Sequence, residues 1–335
     1  MRKRSYLLPL VGGVLVLTAL ISACVGSYPL SLHQIVEILA GELRGTMDEK
    51  VFLSLRLPRV LMGVLSGGAL GLAGGIYQTI FRNSLASPDL TGVASGASFG
   101  AAVAIVLGAG SGWQIMFGSF VMGLVSLVVV LALVYLSGME KMGSYILSGI
   151  IVSSLADAGL MMLKFMADPE RELAAIEFWT MGSLGTVTGE KLFPQALFVA
   201  VPLVVLLCCS RQAVMLSLGT EHARSLGLAP GLWRTVFLGL STLMIAAVVS
   251  ITGVIAFVGL IAPHIAFMLY RRRNTGYFVL CALVGGVILL IADILARSLY
   301  GGAELPLSIL TVLLSVPVLV GLLCRKKGGA HGSII

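Results

Sequence analysis

Charge is what this chain has least of. Charged residues make up 11% of its 335 positions, against 58% hydrophobic residues, less than half the share usual in a soluble domain. So few charges exclude an ordinary soluble fold, because the apolar surface is too large to hide inside the chain itself. Histidine occurs four times, and neither HExxH nor GxSxG is present, which removes the zinc-protease and serine-hydrolase patterns. The five cysteines, Cys24, Cys208, Cys209, Cys281 and Cys324, form no CxxC pair or other ligand spacing and read as small apolar residues. The nearest approach to a phosphate-binding loop, Gly185 to Lys191, has three residues between its glycines and Glu190 before the lysine, so it fails the pattern. A net charge of +7 comes from short basic clusters between apolar runs, without the aromatic-interleaved patch that nucleic-acid binding requires.

What remains is a succession of charge-free runs. A bilayer crossing takes about 20 apolar residues, and such runs fall near 6–25, 60–81, 91–109, 114–137, 143–166, 192–210, 235–252, 255–270, 277–296 and 306–324. Ten spans are expected. A turn at Gly108–Gly112 separates the third from the fourth. Only 36 residues serve both spans between Thr235 and Tyr270. Gly253, Gly259 and Pro263 mark the eighth as the short or irregular one. The first run follows Arg2, Lys3 and Arg4 and ends at Ser22-Ala23-Cys24 in the manner of a lipoprotein signal, but its 20 residues are enough to span.

Cytoplasmic loops retain Lys and Arg. With the N-terminus inside, Arg2, Lys3, Arg4, Arg82, Lys141, Arg211, Arg224, Arg234, Arg271, Arg272, Arg273, Arg325, Lys326 and Lys327 fall inside, 14 of the 22 basic residues. Basic termini on both sides of the chain require an even number of spans, which ten satisfies. The long outer segments, about 26–58 and 167–190, and the inner loop at about 211–234 are too short for soluble domains. The chain is therefore expected to be one transmembrane domain over 1–335, multi-pass, with both termini cytoplasmic.

Gly63, Gly67, Gly71 and Gly75 share one face of the second span, and Gly92, Gly96 and Gly100 one face of the third, so neighbouring helices can approach closely there. Asp157 and Asp293 are ionisable groups within spans, which invites an ion-site or proton-relay reading. Arg297 follows Asp293 by one turn and offers a simple i to i+4 partner. Asp157, beside Ser153 and Ser154, faces either the bundle interior or a water-filled path. In the inner loop Thr220 can cap a short helix through Glu221, Ala223 and Arg224 to Leu226. Gly227 suits its C-terminal end, and Pro230 opens another short helix. Such a knob suits docking to a partner, or is a capped connector only.

The ordered motifs carry a resemblance. Arg56-Leu57-Pro58-Arg59, then FRNSLASPDLTGVASGA at 81–97, Trp179-Thr-Met-Gly182-Ser183-Leu184 and Glu221-His-Ala223-Arg-Ser-Leu226-Gly227 come first. Gly253 to His264 and the set Asp293, Arg297 and Glu304-Leu305-Pro306 follow. Together they resemble the FecCD-like permeases, membrane subunits of type II ABC importers for iron-siderophores, haem and cobalamin, over essentially the whole chain. Ser84 stands where the family usually has Pro, Thr91 where it has Leu, Phe267 where Arg is common, and Ser315 where Gly is usual.

The resemblance implies an all-α integral membrane protein in the bacterial cytoplasmic membrane, paired with a second copy or a homologous permease. It implies ABC ATPase subunits that bind ATP and Mg, no cofactor in this subunit, and no catalysis by it. Thr220, Glu221, Ala223, Arg224, Leu226 and Gly227 match the ATPase-coupling element. Arg56, Arg59 and Arg297 match positions that dock an extracytoplasmic substrate-binding protein, and Asn83 and Leu85 match a cytoplasmic gate. Ser153 and Asp157 are candidates for the path. Ferric siderophore is the leading substrate, with haem or cobalamin next and an ion-coupled secondary transporter as the rival class.

Overall fold

The computed structural model describes residues 6–26, 28–108, 112–138, 142–300 and 304–327. Among them the chain is helical throughout, without strands. The helices are α1 (Leu7–Cys24), α2 (Leu32–Ala40), α3 (Met47–Val51), α4 (Leu57–Ile80), α5 (Val93–Val106), α6 (Gly112–Leu136), α7 (Met142–Met166) and α8 (Ala174–Met181). They continue with α9 (Gly189–Cys208), α10 (Ser210–Ser217), α11 (Thr220–Ser225), α12 (Pro230–Thr252), α13 (Val258–Tyr270), α14 (Thr275–Ser298) and α15 (Leu307–Lys327).

Six helices are long and apolar enough to cross a membrane, and α9 with α10, bent by 57°, makes a seventh; α5, α13 and α15 are shorter apolar helices. These ten apolar helices fall on the ten runs of the sequence. The turn expected at Gly108–Gly112 lies partly outside the described residues, as do Arg2, Lys3, Arg4 and Lys141.

α4, α12 and α14 form the interior of the bundle, while α1, α6 and α7 are mostly exposed along their lengths. Glycine decides this. A Cβ on Gly67 would meet the backbone of Gly285 and Gly286, one on Gly71 the Cys281 carbonyl, and one on Gly74 the Gly259 carbonyl. α4 thus packs backbone to backbone on α14 and α13, where dispersion and the absence of side-chain bulk take over the role that water plays in soluble cores. Gly100 and Gly118 do the same for α5 and α6.

α3 and α4 are one continuous helix of 34 residues, about 50 Å at 1.5 Å per residue, well beyond the hydrocarbon thickness. A π turn at Phe52–Arg56 interrupts it, adding one residue to the local ladder and turning Arg56 inward. α2 and α3 fold over the same end. Ser31 and Gln34 form a capping box for α2, and Gly41 closes it in the left-handed region at φ +83°. The eighth span is short, as expected. α12 ends at Gly253 (φ +68°), the chain reverses, and α13 restarts after Phe257 (φ +66°).

Two local expectations are corrected. Thr220 is the first residue of α11 and does not cap it; the cap is Gly219, at φ +106°. The Thr220 hydroxyl instead accepts from Arg234 Nη2 at 3.0 Å. Pro230 opens the long helix α12, not a separate short one, because its missing N–H costs nothing at the first turn and nothing after it breaks the apolar run.

Candidate functional site

The arginines, the coupling residues and the gate residues singled out by sequence gather at two opposite ends of the bundle, while Ser153 and Asp157 lie along α7 between them. At one end, the C-terminus of α1 presents backbone carbonyls without helical partners. Arg56 supplies them: Nη1 donates to the carbonyls of Ala23, at 3.2 Å, and Val25, and Nη2 to Tyr28 at 2.6 Å. Arg297, at the end of α14, donates to the Val25 carbonyl at 2.8 Å and to the Ser22 hydroxyl at 2.7 Å. Two cations therefore cap the negative end of one helix dipole. Gly26 is required beside them, since a Cβ there would fall on the Arg56 guanidinium.

Arg59 differs from its neighbours in that its hydrogen bonds, among the described residues, all go to carboxylates. Nε donates to Asp293 Oδ1 at 2.9 Å, and the two Nη groups hold Glu304 at 2.6 and 2.9 Å. Asp293 is fully buried. Its other oxygen lies 2.9 Å from Arg297 Nη2, so the i to i+4 pair seen in the sequence forms, and Arg59 joins it from α4. Three guanidiniums face two carboxylates, an excess of one positive charge within this cluster. A cavity of about 350 Å³ opens here, lined among others by Tyr28, Met47, Leu55, Arg59 and Glu304. The Tyr28 hydroxyl donates to Asp48, whose carboxylate pushes the pKa of that phenol up and ties the start of α3 to the chain after α1.

At the opposite end, α11 closes in a Schellman motif. The Gly227 N–H donates to the Arg224 carbonyl at 2.9 Å and the Leu228 N–H to Ala223 at 3.0 Å, with Gly227 at φ +80°. Ala223 is fully buried while Glu221 and Arg224, paired at 3.7 Å, face outward. Leu226 is half exposed. The Arg234 bond to Thr220 fixes this knob to α12.

Asn83 and Leu85 follow α4 at this end. Arg82 turns the chain at φ +51°, and Asn83 Oδ1 accepts from the Leu85 N–H at 2.9 Å, leaving the Leu85 side chain exposed. The segment then folds back into the bundle. Pro88 lies beside Gly259 of α13, and the Leu90 carbonyl against Gly149 of α7. Ser153 packs against Gly92, which puts it next to this returning segment, and Asp157 is half-buried one turn further along α7. Asp157 is not among the partners of Asp293, whose carboxylate is held by Arg59 and Arg297.

Sequence reasoning missed Arg59 as a partner of Asp293, and Glu304 as the second carboxylate on Arg59. A buried carboxylate with only one helical neighbour was the available signal, since such a charge needs more than one donor. It also missed Gln78, whose amide donates to the Leu260 carbonyl of α13 at 3.1 Å. Phe267, which stands where the family often has Arg, lies under the Arg273 guanidinium at 5.7 Å, so a cation is supplied from elsewhere.

A multi-pass helical bundle with buried ion pairs at one end and a capped helical knob at the other defines a membrane permease. The chain belongs to the FecCD transport family, whose pattern matches residues 14–325, and it is an ABC importer permease of that family. It is 36% identical to the molybdate import system permease MolB of Haemophilus influenzae, over 95% of each chain. It is 32% identical to the hemin permease HmuU of Yersinia pestis, over 95% of each. With the vitamin B12 permease BtuC of Salmonella typhi it shares 31% over 93% of each. A solved ABC transporter of the metal-chelate type, in an inward-facing conformation, superposes with a TM-score of 0.86 at 34% identity, covering 96% of this chain and 99% of the other.

Proposed function

We propose that this chain is the membrane-spanning half of an ATP-driven importer of metal chelates, with ferric siderophore as the substrate. The carrying observation is the near-complete superposition on a metal-chelate type transporter, supported by relatives named for haem and B12, both metal macrocycles. In this reading both termini are cytoplasmic and two permeases, identical or homologous, form the path. The α11 knob docks an ATPase that performs all the hydrolysis. The Arg59 end faces the substrate-binding protein, whose acidic groups are drawn by its positive field, an attraction that salt weakens.

The test is ligand screening of the purified substrate-binding protein against ferric siderophores, haem, cobalamin and molybdate, followed by uptake with the reconstituted transporter. Binding and ATP-dependent uptake of a ferric siderophore support the reading. Selective molybdate transport would overturn the substrate class while leaving the importer architecture in place.

A further inference from the structure

Every nitrogen of Arg59 is engaged. Nε holds Asp293, and both Nη groups hold Glu304, with Nη2 also 2.8 Å from Asp293. Arg56 and Arg297 are committed to the carbonyls after α1. A carboxylate arriving from a partner therefore finds each of the three guanidiniums at this mouth already partnered among the described residues. To pair with Arg59 at two points it has to displace something.

The two carboxylates on Arg59 are not equivalent. Asp293 has 0% side-chain exposure and a second cation in Arg297; moving it would strand a buried charge. Glu304 is 40% exposed, and on leaving Arg59 it regains water, so its release costs less than that of Asp293. Its backbone is anchored elsewhere: the Leu305 N–H donates to Ala296, the Leu307 N–H to Gly182, and the Ser308 hydroxyl to Val254. The side chain can swing out without unfastening the start of α15. Gly185 leaves it room, since a Cβ there would lie 2.6 Å from Glu304 Oε2.

We infer that Glu304 is a built-in competitor, holding Arg59 as a stand-in for an acidic residue of the docking protein and exchanging with it when that protein binds. This rests on the reading that the Arg59 end receives the binding protein. The consequence is an importer face that is closed to weak acidic partners. It opens only to one whose carboxylate arrives together with enough other contact to displace Glu304. Docking then transfers a negative side chain from the bundle to solvent, next to the first turn of α15.

The experiment compares Glu304→Gln and Glu304→Ala with the parent chain, assembled with its ATPase in nanodiscs, by titrating in the purified substrate-binding protein at low salt. Loss of the competing carboxylate is expected to tighten binding about three- to tenfold in both variants. Unchanged or weaker binding overturns the inference. Failure of both variants to assemble overturns it too, because a group that leaves on docking cannot be required for folding. A Leu55→Cys cross-link to the binding protein, made in the parent background, separates the two levels. If the cross-link forms and Glu304→Gln does not tighten binding, the exchange is wrong and the docking face stands. If no cross-link forms, the docking face is wrong and the exchange falls with it.

Discussion

Arg59 and Asp293 lie 234 positions apart in the chain, and their side chains meet at 2.9 Å between α4 and α14. The pair is buried and fastens two of the three interior helices at the end where glycine packing gives way to longer side chains. Below it, Gly63 already meets Leu290 where Gly67 meets backbone.

Removing Arg59 should therefore be costly out of proportion to one contact. Arg59→Ala leaves Asp293 with a single cation in a buried site, and a destabilisation of about 3–5 kcal/mol is expected. Glu304→Ala removes the more exposed partner and leaves Arg59 still paired with Asp293, so a smaller loss is expected. Thermal unfolding of the purified permease in detergent should rank them so; equal losses would mean that Glu304 is as structural as Asp293.

The glycines of α4 make a second contrast. Gly74→Ala places a methyl group on the Gly259 carbonyl, and backbone cannot yield as a side-chain tip can, so a loss of about 1–3 kcal/mol or more is expected. Gly239→Ala, with open space around it, should be neutral or slightly stabilising, because alanine is the better helix former. Yield of folded protein and melting temperature together decide it.

Most of the fold was legible in the sequence because lipid imposes length and composition together, and the ten runs fall on ten apolar helices. The spacing of Gly63, Gly67, Gly71 and Gly75 was enough to mark a packing face, though not to say that α14 and α13 would occupy it. What the sequence concealed was long-range polar pairing. Arg59, Asp293 and Glu304 lie on three separate segments, and no periodicity links them. The local grammar of the knob was partly readable: Gly227 suits a left-handed closure on any helix. Thr220 looked like a cap, but Arg234, fourteen residues on, claims its hydroxyl, and Gly219 takes the cap position.

The knob offers a discriminating substitution. Gly227 has open space around it but φ +80°, so Gly227→Ala suffers only backbone strain, about 1–2 kcal/mol. Gly227→Asn should be milder, since asparagine tolerates this region. If the α11 closure positions the ATPase contact, co-purified ATPase and uptake should fall in the order Gly, Asn, Ala. Ala223→Leu, which forces bulk into a fully buried position, should abolish both while the remaining bundle still melts cooperatively. Retention of uptake in Ala223→Leu would count against the knob as the coupling element.

The π turn at Phe52–Arg56 permits a prediction about geometry. Inserting one alanine after the exposed Leu53 exceeds the single extra residue that the turn absorbs, rotating α3 relative to α4 by about 100°, one residue of helical phase. α4 is held by its glycines and by Arg59, so α3 is the element that turns. That rotation removes Asp48 from the Tyr28 hydroxyl and from Gln34 Nε2, which it holds at 2.9 Å, a loss of about 1–3 kcal/mol for the two bonds. It also pulls Val51 and Phe52 out of the small core beneath α2. Hydrogen exchange should then accelerate across α2 and α3 but not in α4 or α14, and binding-protein stimulation of ATP hydrolysis should drop with the membrane core intact. If exchange instead rises uniformly, the covering helices and the bundle fold as one unit, and the π turn is not the joint between them.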